Sequence, residues 1–153
     1  MESLSREESL RLLEDAPVAH IGLISEGRPY VTPMSFVVVG ERILFRTTGG
    51  KKLRALRSAP SVCIEVCRYD DQSGDWASVI VTGKATEVED SQLGQLTVTK
   101  LYEKSSRALG NPLSRGGLQP LRGLSHVIEV EIDDISGMSS GSPFALRTRP
   151  GRL

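Results

Sequence analysis

Between Val18 and Thr47 the chain offers three strand-like runs whose connections are too short to cross over a sheet. Val18 to Ile24 is followed by a Ser-Glu-Gly-Arg-Pro turn cluster around Gly27 and Pro29. Tyr30 to Val39 forms the second run, and Gly40-Glu41 turns it into Ile43 to Thr47. A parallel neighbour needs a crossover of a dozen or more residues, usually a helix, so these runs pair only as an antiparallel meander.

The flanking segments supply helices and more strands. Ser5 through Asp15 reads as a helix: Ser5 and Glu8 have capping-box spacing, Leu10, Leu12 and Leu13 form an apolar stripe, and Glu7 and Glu8 suit the helix dipole. Pro17 closes it. After Thr48-Gly49-Gly50 the period changes, and Lys51 to Ser58 fits a short helix with Leu53, Ala55 and Leu56, ended by Pro60. Ser61 to Cys67 returns to strand, Arg68 to Asp75 is a polar loop, and Trp76 to Glu89 is a long strand with a bend expected at Gly83. Asp90 caps a helix over about Ser91 to Lys104. Four glycines and two prolines between Ser105 and Gly123 predict loop, and Ser125 to Ile135 alternates as a half-buried strand. The tail after Gly137 is expected to be ordered only if it docks. About six strands with two or three helices result, and such a set closes into a barrel to remove its edges. The expected layout is one domain over 1–153, with a helix at 5–15, a barrel over about 16–137 and a tail at 138–153.

The bulk numbers limit the function. A chain of 153 residues suits a single core. Its 39% apolar share is modest, which suits burial completed at a dimer interface or around a ligand. Lysine plus arginine equals aspartate plus glutamate at 19 each, so the basic excess of a duplex-binding protein is missing. No apolar run reaches the roughly 20 residues of a membrane span, and the acidic, polar MESLSREESL does not read as a signal peptide. No membrane partner and a cytoplasmic location are expected. Cys63 and Cys67, four apart on a strand, share a face but stand roughly 13 Å apart, too far for a disulfide. His20 and His126 are isolated, so no metal is expected; the cysteines read as small strand residues in a reducing compartment.

Most of the chemistry lies in Phe45-Arg46-Thr47-Thr48-Gly49-Gly50-Lys51-Lys52-Leu53. A strand delivers Arg46 and the hydroxyls of Thr47 and Thr48, a glycine pair frees the backbone, and Lys51 and Lys52 open a helix. Those are the parts a phosphate requires, although the spacing is not that of a P-loop. An ordinary glycine turn with solvated lysines uses the same residues, but lysines at a helix N-terminus oppose its dipole and call for an anion. In Pro33-Met34-Ser35-Phe36, the proline cannot donate to a ladder and belongs at an edge or a break; a break leaves backbone groups free to meet a planar heterocycle. Trp76, the only tryptophan, and Ser78 begin the long strand. Trp76 stacks on a ring system, lines a dimer contact or fills core. No base stands beside a nucleophile, so no catalytic side chain is assigned. His20 reads as structural, and Asp70-Asp71 and Asp133-Asp134 as solvated turns. A reaction here would be carried by a cofactor.

The order of a helix, then VAHIGLISEGRPYVTPMSFVVVGERILFRTTGGKKLRALRSAPSVCIEV, then WASVIVTGKATEVED, with HVIEVEIDDISG as a closing strand, resembles the pyridoxamine 5'-phosphate oxidase-like FMN-binding split barrels. The compact actinobacterial and nitroimidazole-resistance-type members are the most similar. The resemblance implies a mainly β, six-stranded Greek-key split barrel and a homodimer with two cofactors in its interface. It implies FMN, or alternatively a deazaflavin coenzyme. Arg46, Thr47, Thr48, Lys51 and Lys52 would hold the cofactor phosphate, and Pro33, Met34, Ser35 and Phe36 would run beside the isoalloxazine. Trp76 and Ser78 would approach it, from the same subunit or its partner. The function implied is oxidoreduction of a small molecule, with a non-catalytic flavin- or ligand-binding protein as the alternative. The tail SPFALRTRPGRL lacks the tryptophan of the substrate-binding segment in authentic pyridoxamine-phosphate oxidases, so vitamin B6 oxidation is not implied.

Overall fold

The computed structural model describes residues 1–109 and 126–141. Its elements are β1 (Glu2–Leu4), α1 (Arg6–Asp15), β2 (Ala19–Ser25), β3 (Arg28–Met34), β4 (Phe36–Val39), β5 (Arg42–Thr47), α2 (Lys51–Ser58), β6 (Ser61–Tyr69), β7 (Trp76–Glu87), α3 (Ser91–Leu109) and β8 (His126–Ser139). The expected loop at 105–123 is helix as far as Leu109, and its remainder lies outside the described residues. Of the expected tail, Met138 and Ser139 belong to β8, and 142–153 lie outside the described residues.

Local chemistry accounts for the helices. The Glu8 amide donates to Ser5 Oγ at 3.2 Å and the Ser5 amide to the Glu8 carboxylate at 2.7 Å, a reciprocal cap of about 1 kcal/mol. Below it, Leu12 and Leu13 are buried. In α2, Leu53, Ala55 and Leu56 are buried while Lys51, Arg54 and Arg57 are exposed. Asp90 Oδ1 accepts from the amides of Gln92 and Leu93, starting α3 where the sequence placed it.

Every paired neighbour is antiparallel, and the sheet runs β3-β2-β6-β7-β8-β5-β4 with β1 added to β8. β3 and β4 stand at opposite ends of this path, yet a single residue, Ser35, separates them. The sheet therefore curls until its two edges nearly meet. With β3 and β4 counted as one broken strand, six strands surround the interior, as expected of a split barrel. Extending the registers from Ser35 through β2 and β6 reaches Ser78 on β7. Going the other way, through β5 and β8, reaches Val88. That stagger of about ten residues is the shear that lets six strands close around a filled core.

The core is the barrel interior, where Ile21, Phe36, Phe45, Ile64, Val79, Val81, Ile128 and Val130 pack with Leu12 and Leu13 of α1 and Leu53 and Leu56 of α2. Each such burial is worth roughly 1.5–3 kcal/mol. A second, smaller cluster on the outer face joins Val37 and Leu44 to Leu101 of α3. Cys63 and Cys67 are exposed on the outer face of β6.

The bend expected at Gly83 is a bulge. The β7–β8 register slips between Thr82 and Gly83, leaving Asp133 without a partner on β7. Asp133 and Asp134 thus lie inside β8 at this bulge, not in a turn; Asp70 does sit in one, accepting from the amides of Gln72 and Ser73. A Cβ at Gly83 would collide with the Glu131 carbonyl and come within 2.9 Å of Val130 Cγ1. Since that carbonyl is fixed by the sheet, Gly83→Ala is expected to destabilise the fold by about 1–3 kcal/mol, seen as a lower urea midpoint at unchanged slope.

Candidate functional site

The end of β5, the glycine turn and the start of α2 form one surface. Gly49 and Gly50 have φ of 95° and 77°, and a Cβ at either would meet nothing within 4 Å, so the turn is backbone open to solvent. The first helical hydrogen bond of α2 runs from the Arg54 amide to the Gly50 carbonyl at 3.1 Å. The amides of Lys51, Lys52 and Leu53 precede it and have no helical acceptor. No side chain caps this end and no acid occupies the first turn. The positive end of the helix is thus left to two lysines.

Both lysines are held over aromatic rings. Lys51 Nζ lies 4.3 Å from the Tyr30 ring centroid and Lys52 Nζ 5.8 Å from that of Phe45. Burial pushes the Lys52 amine below its ordinary pKa. A half-buried ammonium at a helix N-terminus is electrostatically costly, and an anion at that point offsets both the burial and the helix dipole.

The second surface is the break at Ser35. Phe36 pairs with Phe45, so Ser35 lies level with Arg46, on the outer face of the barrel. Of the two places the sequence allowed Pro33, an edge or a break, the structure shows the edge. The ladder of β3 continues through Pro33, which pairs with His20, and it ends at Met34. Pro33 is tolerated because β3 lies at the end of the sheet path. Side chains alternate accordingly: Met34 and Phe36 point into the core, while Pro33 and Ser35 are exposed. Thr47 is buried and Thr48 exposed, and Arg46 is half-buried. Arg46 and Ser35 therefore share the outer face, and the exposed turn of Thr48, Gly49 and Gly50 leads from that strand to Lys51, whereas Met34, Phe36 and Thr47 turn their side chains inward.

Trp76 and Ser78 lie elsewhere on the outer face, both half-buried, with Trp76 opposite Tyr69 and Ser78 opposite Cys67. Two strands, β2 and β6, separate them from Ser35, roughly 14 Å of sheet. His20 is exposed and shares a contact of 3.1 Å with Glu65, its cross-strand partner.

Two features escaped sequence reasoning. Arg57 donates twice to Glu87, at 2.7 and 2.9 Å, and His126 Nδ1 lies 2.9 Å from the same carboxylate. Arg57 chiefly, with His126 in support, lowers the Glu87 pKa. This chain joins α2 to the start of β8, and nothing in the separate segments signals it. The second is Lys104, whose ammonium donates to the Phe36 carbonyl at 3.1 Å and sits 3.9 Å above the Phe36 ring. Its signal was available: Lys104 continues the stripe Leu93, Thr97, Leu101 that α3 turns toward the barrel.

A six-stranded barrel broken beside a cationic, glycine-lined turn defines a split-barrel protein. The chain belongs to the pyridoxamine 5'-phosphate oxidase family, whose model matches residues 5–139. Over 92% of its length it resembles 98% of a FAD-binding protein from Mesorhizobium loti, with 22% identity and a TM-score of 0.73. A FAD binding protein from Mycobacterium smegmatis is 26% identical at a TM-score of 0.63, over 90% of this chain and 97% of that one. A FAD and heme binding protein from the same organism is 25% identical at 0.66, over 90% and 72%.

Burial drives the Lys104 pKa down to about 8, with Asp15 and Glu14 acting in the opposite direction. Below pH 8 the folded and unfolded chains both carry this proton; between about 8 and 10.5 only the unfolded chain does, so its share of stability rises with pH across that window. The difference in unfolding free energy between wild type and Lys104→Met is expected to grow from pH 8 to 10.5. A flat difference would show that the buried site does not penalise the charge.

Proposed function

We propose that this chain binds a flavin by its phosphate at Arg46, Thr48 and the Gly49–Lys52 turn, and uses it in a homodimer to oxidise or reduce a small molecule. The observation that carries this reading is the uncapped, acid-free start of α2, where two lysines and an open glycine backbone follow the strand that sets Arg46 level with the broken ladder at Ser35. The donor set fits a phosphate monoester: charged donors from Arg46 and Lys51, a hydroxyl from Thr48 and the free amides of the first helical turn. Family membership and the relatives named for FAD binding support a flavin.

The ring system lies against the backbone of Pro33 to Phe36, at the one point of the barrel where a ladder ends. Lys104 holds the Phe36 carbonyl and so fixes the peptide that the ring meets. The flavin supplies hydride transfer when bound; the chain supplies position, charge and shielding from water. A deazaflavin, the alternative cofactor, would ask for further cationic surface to hold its acidic tail. Arg57, further along α2, is engaged by Glu87.

A second copy is the occupant we assign to the outer face of β2, β3, β6 and β7. Val31 is 65% exposed there, with Val18, Ile24 and Ile80 also open to solvent. A shallow groove of about 390 Å³ passes over Gly22 and Cys63. Projecting valine and isoleucine beside a glycine-floored groove on one surface provide both halves of a self-complementary, two-fold contact. The face continues to Trp76 and Ser78, which brings those residues of one subunit toward the cofactor of the other.

FMN titration followed by absorbance and fluorescence is expected to saturate near one per chain. Lys51→Ala/Lys52→Ala is expected to weaken binding about a hundredfold through lost charge-assisted contacts; unchanged binding would remove the turn as the phosphate site. By sedimentation, the wild type is expected to be a dimer and Val31→Glu a monomer. A dimer that survives Val31→Glu uses another face.

A further inference from the structure

The elements around Lys104 enclose a cleft that flavin binding does not use. It has a volume of about 360 Å³ and is lined by Lys100, Lys104 and Arg107 of α3 with Val37 and Val38 of β4. The spacing of the three cations, four residues and then three, puts them on one face of the helix. Glu14 of α1 and Glu103 also line the cleft, so its cations outnumber its carboxylates. Neither Lys100 nor Arg107 is ion-paired among the described residues. Such a volume is within the ~300–1,000 Å³ of small-molecule sites.

Lys104 has the features of a nucleophile here. With its pKa lowered to about 8 by burial, roughly a quarter of these amines are neutral near pH 7.5, against about one in a thousand for an ordinary lysine. The neutral amine donates one N–H to the Phe36 carbonyl, 3.1 Å away, and keeps its lone pair for attack. As an ammonium, Lys104 carries three donors and meets one protein acceptor among the described residues. A protonated imine carries a single donor, which the same carbonyl accepts. Its positive charge remains beside the Phe36 ring, whose centroid is 3.9 Å from Nζ, and within the field of Asp15 and Glu14. The site therefore suits an imine better than the ammonium it would replace.

We propose that this cleft is a covalent capture site, in which Lys104 forms an imine with a small aldehyde carrying an anionic group. The neutral amine attacks the carbonyl carbon, a C–N bond forms, and the proton lost by nitrogen passes to oxygen. The carbinolamine then loses its hydroxyl as water, with the proton it needs drawn from solvent through Glu14, and a protonated imine remains. Nothing is oxidised or reduced. Lys100 and Arg107 hold the anionic group, and Val37 and Val38 contact the short carbon chain. The proposal does not depend on the flavin reading, since the cleft shares with that site only the Phe36 peptide.

The test incubates the full chain with glyoxylate and, separately, with propionaldehyde, reduces the products with borohydride and locates the adducts by peptide mass mapping. Glyoxylate is expected to label Lys104 at least about tenfold faster than any other lysine of the chain. Lys52 is the decisive comparison, because burial lowers its pKa too but it lies outside this cleft. In the double variant Lys100→Met/Arg107→Met, the ratio of glyoxylate to propionaldehyde labelling at Lys104 is expected to fall about fivefold. Taking a ratio removes any effect of the substitutions on the amine itself. Labelling spread evenly over the lysines, or as fast at Lys52 as at Lys104, would overturn the capture site. An unchanged ratio in the double variant would overturn its preference for an anion.

Discussion

The backbone hydrogen bonds of one long run are divided between two partners: β3 gives its ladder to β2, and β4 gives its ladder to β5. Because those partners stand far apart in the sheet, the run must break, and it breaks at Ser35. The barrel closes only through this covalent link, since β3 and β4 are not paired with each other. A closed six-stranded ladder would leave no backbone free. The split exposes peptide groups beside Arg46 at the cost of a few hydrogen bonds, each about 1 kcal/mol net, against a core of fully buried aromatic and branched side chains.

Charge placement follows the same division. The exposed pairs Arg6–Glu41 and Arg11–Glu7 are each worth a fraction of a kcal/mol and hold no functional element. The cations at the start of α2 have aromatic rings beneath them instead of carboxylates, so their charge remains available to a ligand. At the other end of the same helix, Arg57 is tied by a two-point contact to Glu87. One short helix thus offers positive charge at its start and neutralises it at its end.

Much of this was legible in the residues. The Ser5/Glu8 box, the Lys51–Ser58 helix and the Gly83 bulge are set by local chemistry and appear where the sequence placed them. β1 was not legible, because Glu2–Leu4 has no strand pattern of its own and is extended only because β8 offers it a free edge at Gly137 to Ser139. Pro33 could mark an edge or a break, and it marks the edge: at the end of the sheet path its missing donor is not needed, and the ladder ends at Met34, just before Ser35. The inward aim of Met34 and Phe36 follows from register, which a single run cannot reveal. The cleft beside α3 is lined from α1, β4 and α3, which a linear reading does not bring together.

The position of β8 has a consequence for how the molecule is made. Among the described residues it follows every other strand, yet it joins β7 to β5 and also receives β1. Until residue 139 has left the ribosome, the growing chain holds two separate ladders, β3-β2-β6-β7 and β5-β4, connected only by covalent segments. Barrel closure thus waits for β8 to emerge, and it comes with the pairing of β1 and β8. Before it, several strand edges stand open together, and the half-made protein depends on rapid completion, or on a chaperone, to avoid pairing with its neighbours.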